Sequence, residues 1–142
     1  HFLAGIHDYQ KRIGHYMPFE IKIIPEIKNT KNLTAAQQKA REGELILKEL
    51  QSSDTVVLMD ERGKELRSTE FARWLQGKQN ISRRLVFVIG GPYGFSSDVY
   101  ARAGEQLCLS KMTFSHQMVR LIMVEQLYRA CTIIKGEPYH HE

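Results

Sequence analysis

Cysteine is scarce in this chain: there are two, Cys108 and Cys131, in 142 residues, and no His/Cys cluster has a zinc spacing. Both stand in apolar runs, which reads as two buried free thiols in a reducing compartment. No apolar run approaches the ~20 residues needed to span a bilayer. His1-Phe2-Leu3 opens no signal-like apolar core, so a cytoplasmic protein without a membrane segment is expected. Blocks of about five or more like charges are absent too. The 20 Lys and Arg against 16 Asp and Glu leave a net charge of +4, a mildly basic balance that permits a nucleic-acid partner without requiring one. Repeats, low-complexity stretches and linkers are missing, so residues 1–142 are expected to form a single domain. A chain of this size buries enough surface to fold without a disulfide or metal. The nucleotide fingerprints are absent as well. Gly90, Gly91 and Gly94 follow G-G-x-x-G, with Pro92 inside, and match neither the dinucleotide pattern nor a P-loop. That argues against a nucleotide-dependent oxidoreductase, and glycine in a tight strand-to-helix turn has backbone reasons of its own.

What is present alternates between helix and strand. Phe2, Ile6, Tyr9 and Ile13 recur at helical spacing, so the chain begins inside a helix. Residues 19–25 alternate Phe19, Ile21, Ile23 against Glu20, Lys22, which predicts a half-exposed strand. Thr34-Ala35-Ala36-Gln37 has capping-box spacing and predicts a helix to about Leu50. Residues 55–59 and 85–89 are short continuous apolar strands, the first ended by a turn over residues 60–64, the second by the glycine turn. Ser68 is expected to cap a short helix through Phe71, Trp74 and Leu75. A helix over about 97–105 is followed by a strand over 107–114 and a last helix ending near Gly136. Strands apolar on both faces and alternating with helices predict an α/β fold with a largely parallel sheet. In such sheets ligands lie beyond the carboxyl ends of the strands, here Met59-Asp60, Ile89-Gly90-Gly91 and Leu109-Ser110-Lys111.

The C-terminal segment stands out. Val119, Ile122, Met123, Leu127, Ala130, Cys131 and Ile134 make a core stripe, which Leu121, Val124 and Tyr128 widen beyond one sheet face, so a subunit interface is expected along this helix. Glu125 and Arg129, four apart, could simply pair on the surface. The chain then ends in Pro138-Tyr139-His140-His141-Glu142, a cluster of titratable and aromatic groups where termini are usually featureless. A docked end of this kind is what a site needs when the terminus takes part in chemistry.

These motifs together carry a resemblance. Ile89-Gly90-Gly91-Pro92-Tyr93-Gly94, Leu109-Ser110-Lys111-Met112-Thr113-Phe114-Ser115-His116-Gln117, Val119-Arg120, Glu125-Gln126-Leu127-Tyr128-Arg129-Ala130 and Pro138-Tyr139-His140 resemble the bacterial ribosomal RNA large-subunit methyltransferase H family, of the SPOUT class. The likeness covers essentially the whole chain, including residues 39–50 with Glu42-Gly43-Glu44. It implies S-adenosylmethionine-dependent methylation of N3 of a pseudouridine in large-subunit rRNA, presented by a free subunit or an assembled ribosome. It also implies a SPOUT-type, mostly parallel sheet flanked by helices, with a C-terminal trefoil knot, and a homodimer. The family opens with a short strand and loop that this sequence lacks, so one strand fewer is expected. By resemblance the cofactor falls to Met59, Gly90, Leu109, Ser110, Lys111, Met112, Thr113 and Phe114. Apolar Met59, Leu109 and Met112 suit an adenine slot. Catalysis falls to Tyr139 and His140, as base or stabiliser for the N3 proton, and to Arg129 for developing negative charge. No metal is called for, since the methyl donor is already activated. The runner-up, a non-catalytic RNA-binding module, would need stacking aromatics and a basic groove, whereas most aromatics here lie in apolar runs.

Overall fold

The computed structural model describes residues 2–141; His1 and Glu142, the last member of the terminal cluster, lie outside them. In chain order the elements are α1 (Phe2–Gly14), α2 (Ala35–Glu49), β1 (Thr55–Glu65), α3 (Ser68–Ile81), β2 (Leu85–Ile89), α4 (Ser97–Arg102), β3 (Glu105–Cys108) and α5 (His116–Ile134). They gather in two compact units, both discontinuous in sequence: residues 23–64 with 82–108, and residues 2–22 with 65–81 and 109–141.

The first unit holds the sheet, in the order β2-β1-β3. β1 and β2 run parallel, with Thr55 beside Leu85 and Met59 beside Ile89, so Met59 lies level with the carboxyl end of β2 while β1 runs on past it to Glu65. Val56, Val57 and Leu58 are all buried, as a strand apolar on both faces requires. Val56, Leu58 and Val88 pack with Ile46 of α2, Val99 of α4 and Phe95 into one core. The α2 start is as the spacing predicts: Thr34 Oγ1 accepts from Gln37 N at 3.1 Å, and Gln37 Oε1 accepts from Thr34 N at 2.9 Å.

Three expectations need correction here. The predicted turn at residues 60–64 is instead a continuation of β1, because β3 supplies a neighbour for it; a Cβ on Gly63 would lie 2.6 Å from Leu107 N. The helix over 97–105 stops at Arg102, since Gly104 N turns to Val56 O at 3.1 Å and draws the chain onto the sheet. Residues 19–25 form no strand. Their alternation breaks after Lys22, where Ile23 is exposed and Ile24 packs against the core, and no described strand pairs with them. Periodicity gives a segment a face, but only a hydrogen-bonded neighbour makes it a strand.

An ion pair between a buried carboxylate and a half-exposed guanidinium ties the entrance of β1. Asp54 is fully buried and accepts from Arg84 Nε at 2.9 Å, Arg84 Nη2 at 2.6 Å and Gln51 N at 2.8 Å. The hydrogen bonds from Arg84 hold the Asp54 carboxyl below the usual range despite its burial. A depressed folded-state pKa contributes stability above the unfolded value, about 3.9, and that contribution is lost as pH falls through the folded value. Asp54→Asn is therefore expected to lower stability by about 1–3 kcal/mol at neutral pH. The gap to wild type should close below about pH 4. Urea unfolding at the two pH values reads it, and a gap that widens in acid would contradict the assignment.

The second unit is helical. α1 and α3 both pack against α5, burying Ile13, Phe71, Leu75, Met123, Leu127 and Ala130. Val124, read from sequence as surplus apolar surface for a partner, is 5% exposed. Leu121 and Tyr128, the other two residues of that widened strip, are only half-buried. Ser68 is not a cap but the first residue of α3; its hydroxyl donates to Gln126 Oε1 of α5 at 2.8 Å, while Glu70 Oε1 accepts from Arg67 N at 2.8 Å.

Candidate active site

In the sheet unit, Met59 is not a strand end as expected but lies within β1, and its pairing with Ile89 sets it level with the end of β2, where Gly90 follows. Asp60, next after Met59, accepts a short hydrogen bond from the Tyr100 hydroxyl, which in turn accepts from Arg62 Nη2 at 2.8 Å. Burial, then the Asp60 contact, pushes the Tyr100 phenol up, so it stays a donor at neutral pH. The glycine turn has a local reason at each position. A Cβ on Gly90 would fall 2.7 Å from the Phe95 ring, and one on Gly91 2.8 Å from Glu42 Oε1. Gly94 has φ +81°, and its N donates to Gly91 O at 3.2 Å. A side chain at position 90 therefore strikes the core ring of Phe95 before it could report on a ligand.

In the helical unit, residues 109–114 are a loop and not the continuation of a strand: β3 ends at Cys108. Ser110 Oγ accepts from Met112 N at 3.1 Å, a local closure that competes with a sheet ladder. Met112 is 74% exposed and Phe114 37%, a pair of large apolar side chains held at the surface. Lys111 Nζ lies 3.9 Å from Glu65 Oε1. Ser115 then caps α5, its Oγ accepting from Met118 N at 3.3 Å.

The other end of α5 builds the terminal cluster. Gly136, with φ +70°, donates to Ile133 O at 3.0 Å, and Glu137 N donates to Thr132 O at 2.9 Å. This pair of bonds is the Schellman closure, and it turns the chain back along the helix. Glu137 Oε2 then accepts from the Tyr16 hydroxyl at 2.7 Å, raising that phenol to about 12. Tyr139 meets Tyr128 edge-on, ring centroids 4.7 Å apart, and its hydroxyl lies 3.3 Å from that of Tyr9. The Arg129 guanidinium sits 4.9 Å from the Tyr139 ring centre. Arg129 also donates to Glu125 Oε1, from Nε at 2.8 Å and Nη2 at 2.6 Å, and its Nη1 lies 3.0 Å from His140 Nδ1.

Arg129, Tyr139 and His140, which the family resemblance groups, thus stand together. Glu125 and Arg129 make more than a surface pair, being 19% and 24% exposed with Arg129 bridging onward to the histidine. The Glu125 hydrogen bond raises Arg129 further above its ordinary value. Burial, then the Tyr9 hydroxyl, raises Tyr139, so its phenol remains protonated. Tyr9, Tyr16 and Tyr128 were missed as members of this cluster. Tyr9 belongs to the apolar stripe of α1, and its spacing alone gives no hint of a partner 130 residues on. Both cysteines are buried, and burial raises the Cys131 thiol to about 11.

Comparison with known proteins follows the same outline. The family profile described as "Predicted SPOUT methyltransferase" matches residues 1–140. A protein of Bacteroides fragilis named "Ribosomal RNA large subunit methyltransferase H" is 61% identical over 143 aligned residues, covering 100% of this chain and 91% of that protein. Proteins of the same name from Parabacteroides distasonis and Christiangramia forsetii are 59% and 60% identical, covering 100% and 97% of this chain and 91% and 88% of theirs.

Proposed function

The chain belongs to the SPOUT methyltransferase family, and from that premise we propose that it transfers a methyl group from S-adenosylmethionine to N3 of a pseudouridine in large-subunit ribosomal RNA. The substrate class follows the names of relatives about 60% identical over nearly the whole chain. The observation that carries the catalytic part is the docked trio Arg129, Tyr139 and His140, with Glu125 and Tyr9 hydrogen-bonded to its members.

S-adenosylmethionine, when bound, supplies a methyl group already activated on sulphur. The chain's task is to orient the attacking nitrogen and to accommodate the charge left as its proton leaves. Exposed Met112 and Phe114 suit an apolar adenine slot, in a loop outside any helix or strand. Met59 and Gly90, and separately Leu109, Ser110, Lys111, Met112, Thr113 and Phe114, are assigned to the donor on the family resemblance. The profile match across residues 1–140 supports treating the interleaved units as one SPOUT domain. The resemblance adds a C-terminal trefoil knot, a homodimer and, with an rRNA substrate, a cytoplasmic setting. Among the described residues no helix is long and apolar enough to cross a membrane.

Calorimetry separates this reading from a nucleotide-dependent oxidoreductase. S-adenosylmethionine and S-adenosylhomocysteine should bind, and NAD should not. Met112→Glu should weaken donor binding at least tenfold, roughly 1.4 kcal/mol, because it sets a charge in the adenine slot. Its melting temperature should match wild type, since the side chain is mostly exposed. Undiminished affinity would remove Met112 from the site, and NAD binding in place of the sulphonium would overturn the function.

A further inference from the structure

Two arginines attach to the same tyrosines in the helical unit. Arg129, half-buried, covers the Tyr139 ring and is already engaged by Glu125 and His140. Arg12, in the last turn of α1, lies 5.7 Å from the ring centre of Tyr9 and 5.5 Å from that of Tyr128. Those two rings are the ones that meet Tyr139, Tyr128 edge-on and Tyr9 through its hydroxyl. Arg12 therefore stands one ring away from the candidate catalytic tyrosine. Its side chain is 47% exposed, and among the described residues its one ion-pair partner is Asp8, 3.2 Å from Nη2 and itself exposed. Asp8, then Tyr128, raises the guanidinium further above its ordinary value. An i, i+4 pair this open contributes little and is readily exchanged. The other carboxylates of the cluster do not compete: Glu137 accepts from Tyr16, and Glu125 from Arg129. The rings hold a long side chain in place without neutralising it. A guanidinium has five N–H donors, so one that is held and half-exposed keeps donors within reach of an anion. Part of the entropy that an arginine loses on gripping a ligand is already lost on folding.

We propose that Arg12, braced on Tyr9 and Tyr128, is an RNA-anchoring residue that takes a backbone phosphate of the substrate strand beside the target nucleotide, the Asp8 contact giving way to it. The identity of the strand as rRNA rests on the methyltransferase reading. A phosphodiester carries a fixed negative charge and two unesterified oxygens, which a planar guanidinium fork meets better than an ammonium does. Such a contact reads no sequence; it fixes where the strand lies. The two arginines then divide the work by exposure, with the open one on the backbone and the half-buried one at the reacting base.

Fluorescence anisotropy with a synthetic large-subunit rRNA hairpin containing pseudouridine, taken over a salt series, reads the contact directly. Arg12→Met keeps an apolar stem on the rings and removes the fork. Its RNA Kd should rise about tenfold, and the slope of log affinity against log salt should fall by about one. In steady-state assays the RNA KM should follow Kd while kcat moves by no more than about threefold. S-adenosylmethionine affinity should not move. Asp8→Asn supplies a change of opposite sign: it releases the guanidinium and removes a negative charge, so RNA affinity should hold or tighten. If Arg12 served only as the helix partner of Asp8, the two variants would lose the same small stability and neither would change the salt slope. Melting curves check that each variant is folded, and Arg12→Gln is read in the same way should Arg12→Met melt early. Wild-type affinity and slope in the Arg12 variants, or Asp8→Asn weakening RNA as much as they do, overturns the inference. A wild type that binds the hairpin and leaves it unmethylated would overturn the reading of function instead, and the salt slopes would still decide Arg12.

Discussion

Removing residues 139–142 is expected to abolish methyl transfer, a loss of at least roughly 10²-fold, while S-adenosylmethionine affinity stays within a few-fold of wild type. The deletion takes away the Tyr139 ring that Arg129 covers, the hydroxyl that meets Tyr9, and the imidazole that accepts from Arg129. It leaves Met112, Phe114 and the other residues assigned to the donor untouched. The fold should survive, because the main packing lost is one aromatic pair, Tyr128 with Tyr139, worth about 0.5–1.5 kcal/mol beyond its area. A thermal melt alongside single-turnover assays checks both halves. Retained activity would mean that the cluster is a structural closure of α5 and nothing more.

Replacement of Arg129 should have the second largest effect, through two consequences that separate cleanly. Arg129→Ala removes the donor that orients His140, and turnover should fall by roughly 10²-fold or more. It also leaves the Glu125 carboxylate half-buried without its guanidinium, which should cost about 1–3 kcal/mol of stability. Arg129→Lys restores a charge beside Glu125 but not the planar fork that serves Glu125 and His140 at once. The lysine variant should therefore regain most of the stability and little of the turnover. Turnover restored by lysine would show that charge alone matters at this position, and that the fork does not.

Much of this was legible because the signals are local. The capping box at Thr34 and Gln37 and the apolar run of β2 each state their structure within a few residues, and both stand as read. The readings that failed concern partners far along the chain. Residues 19–25 alternate like a strand, yet no described strand lies beside them. Residues 60–64 are as polar as a turn, yet β3 keeps them extended. Ser68 sits where a cap belongs, yet its hydroxyl turns to Gln126. The terminal site divides in the same way. Tyr139 and His140 stand out by composition and position, whereas Arg129 is singled out only by the family resemblance, Glu125 reads as its ordinary i, i+4 partner and Tyr9 as core. Their work is visible only once the Schellman closure at Gly136 folds the tail back along α5.

The account's central claim is methylation of large-subunit rRNA, and the most direct measurement is mass mapping of that rRNA from cells with and without this protein. One nucleotide should carry a methyl group only when the protein is present, at N3 of a pseudouridine, and wild-type protein with S-adenosylmethionine should restore it where the 139–142 deletion does not. Identical methylation maps from the two cells would contradict the claim.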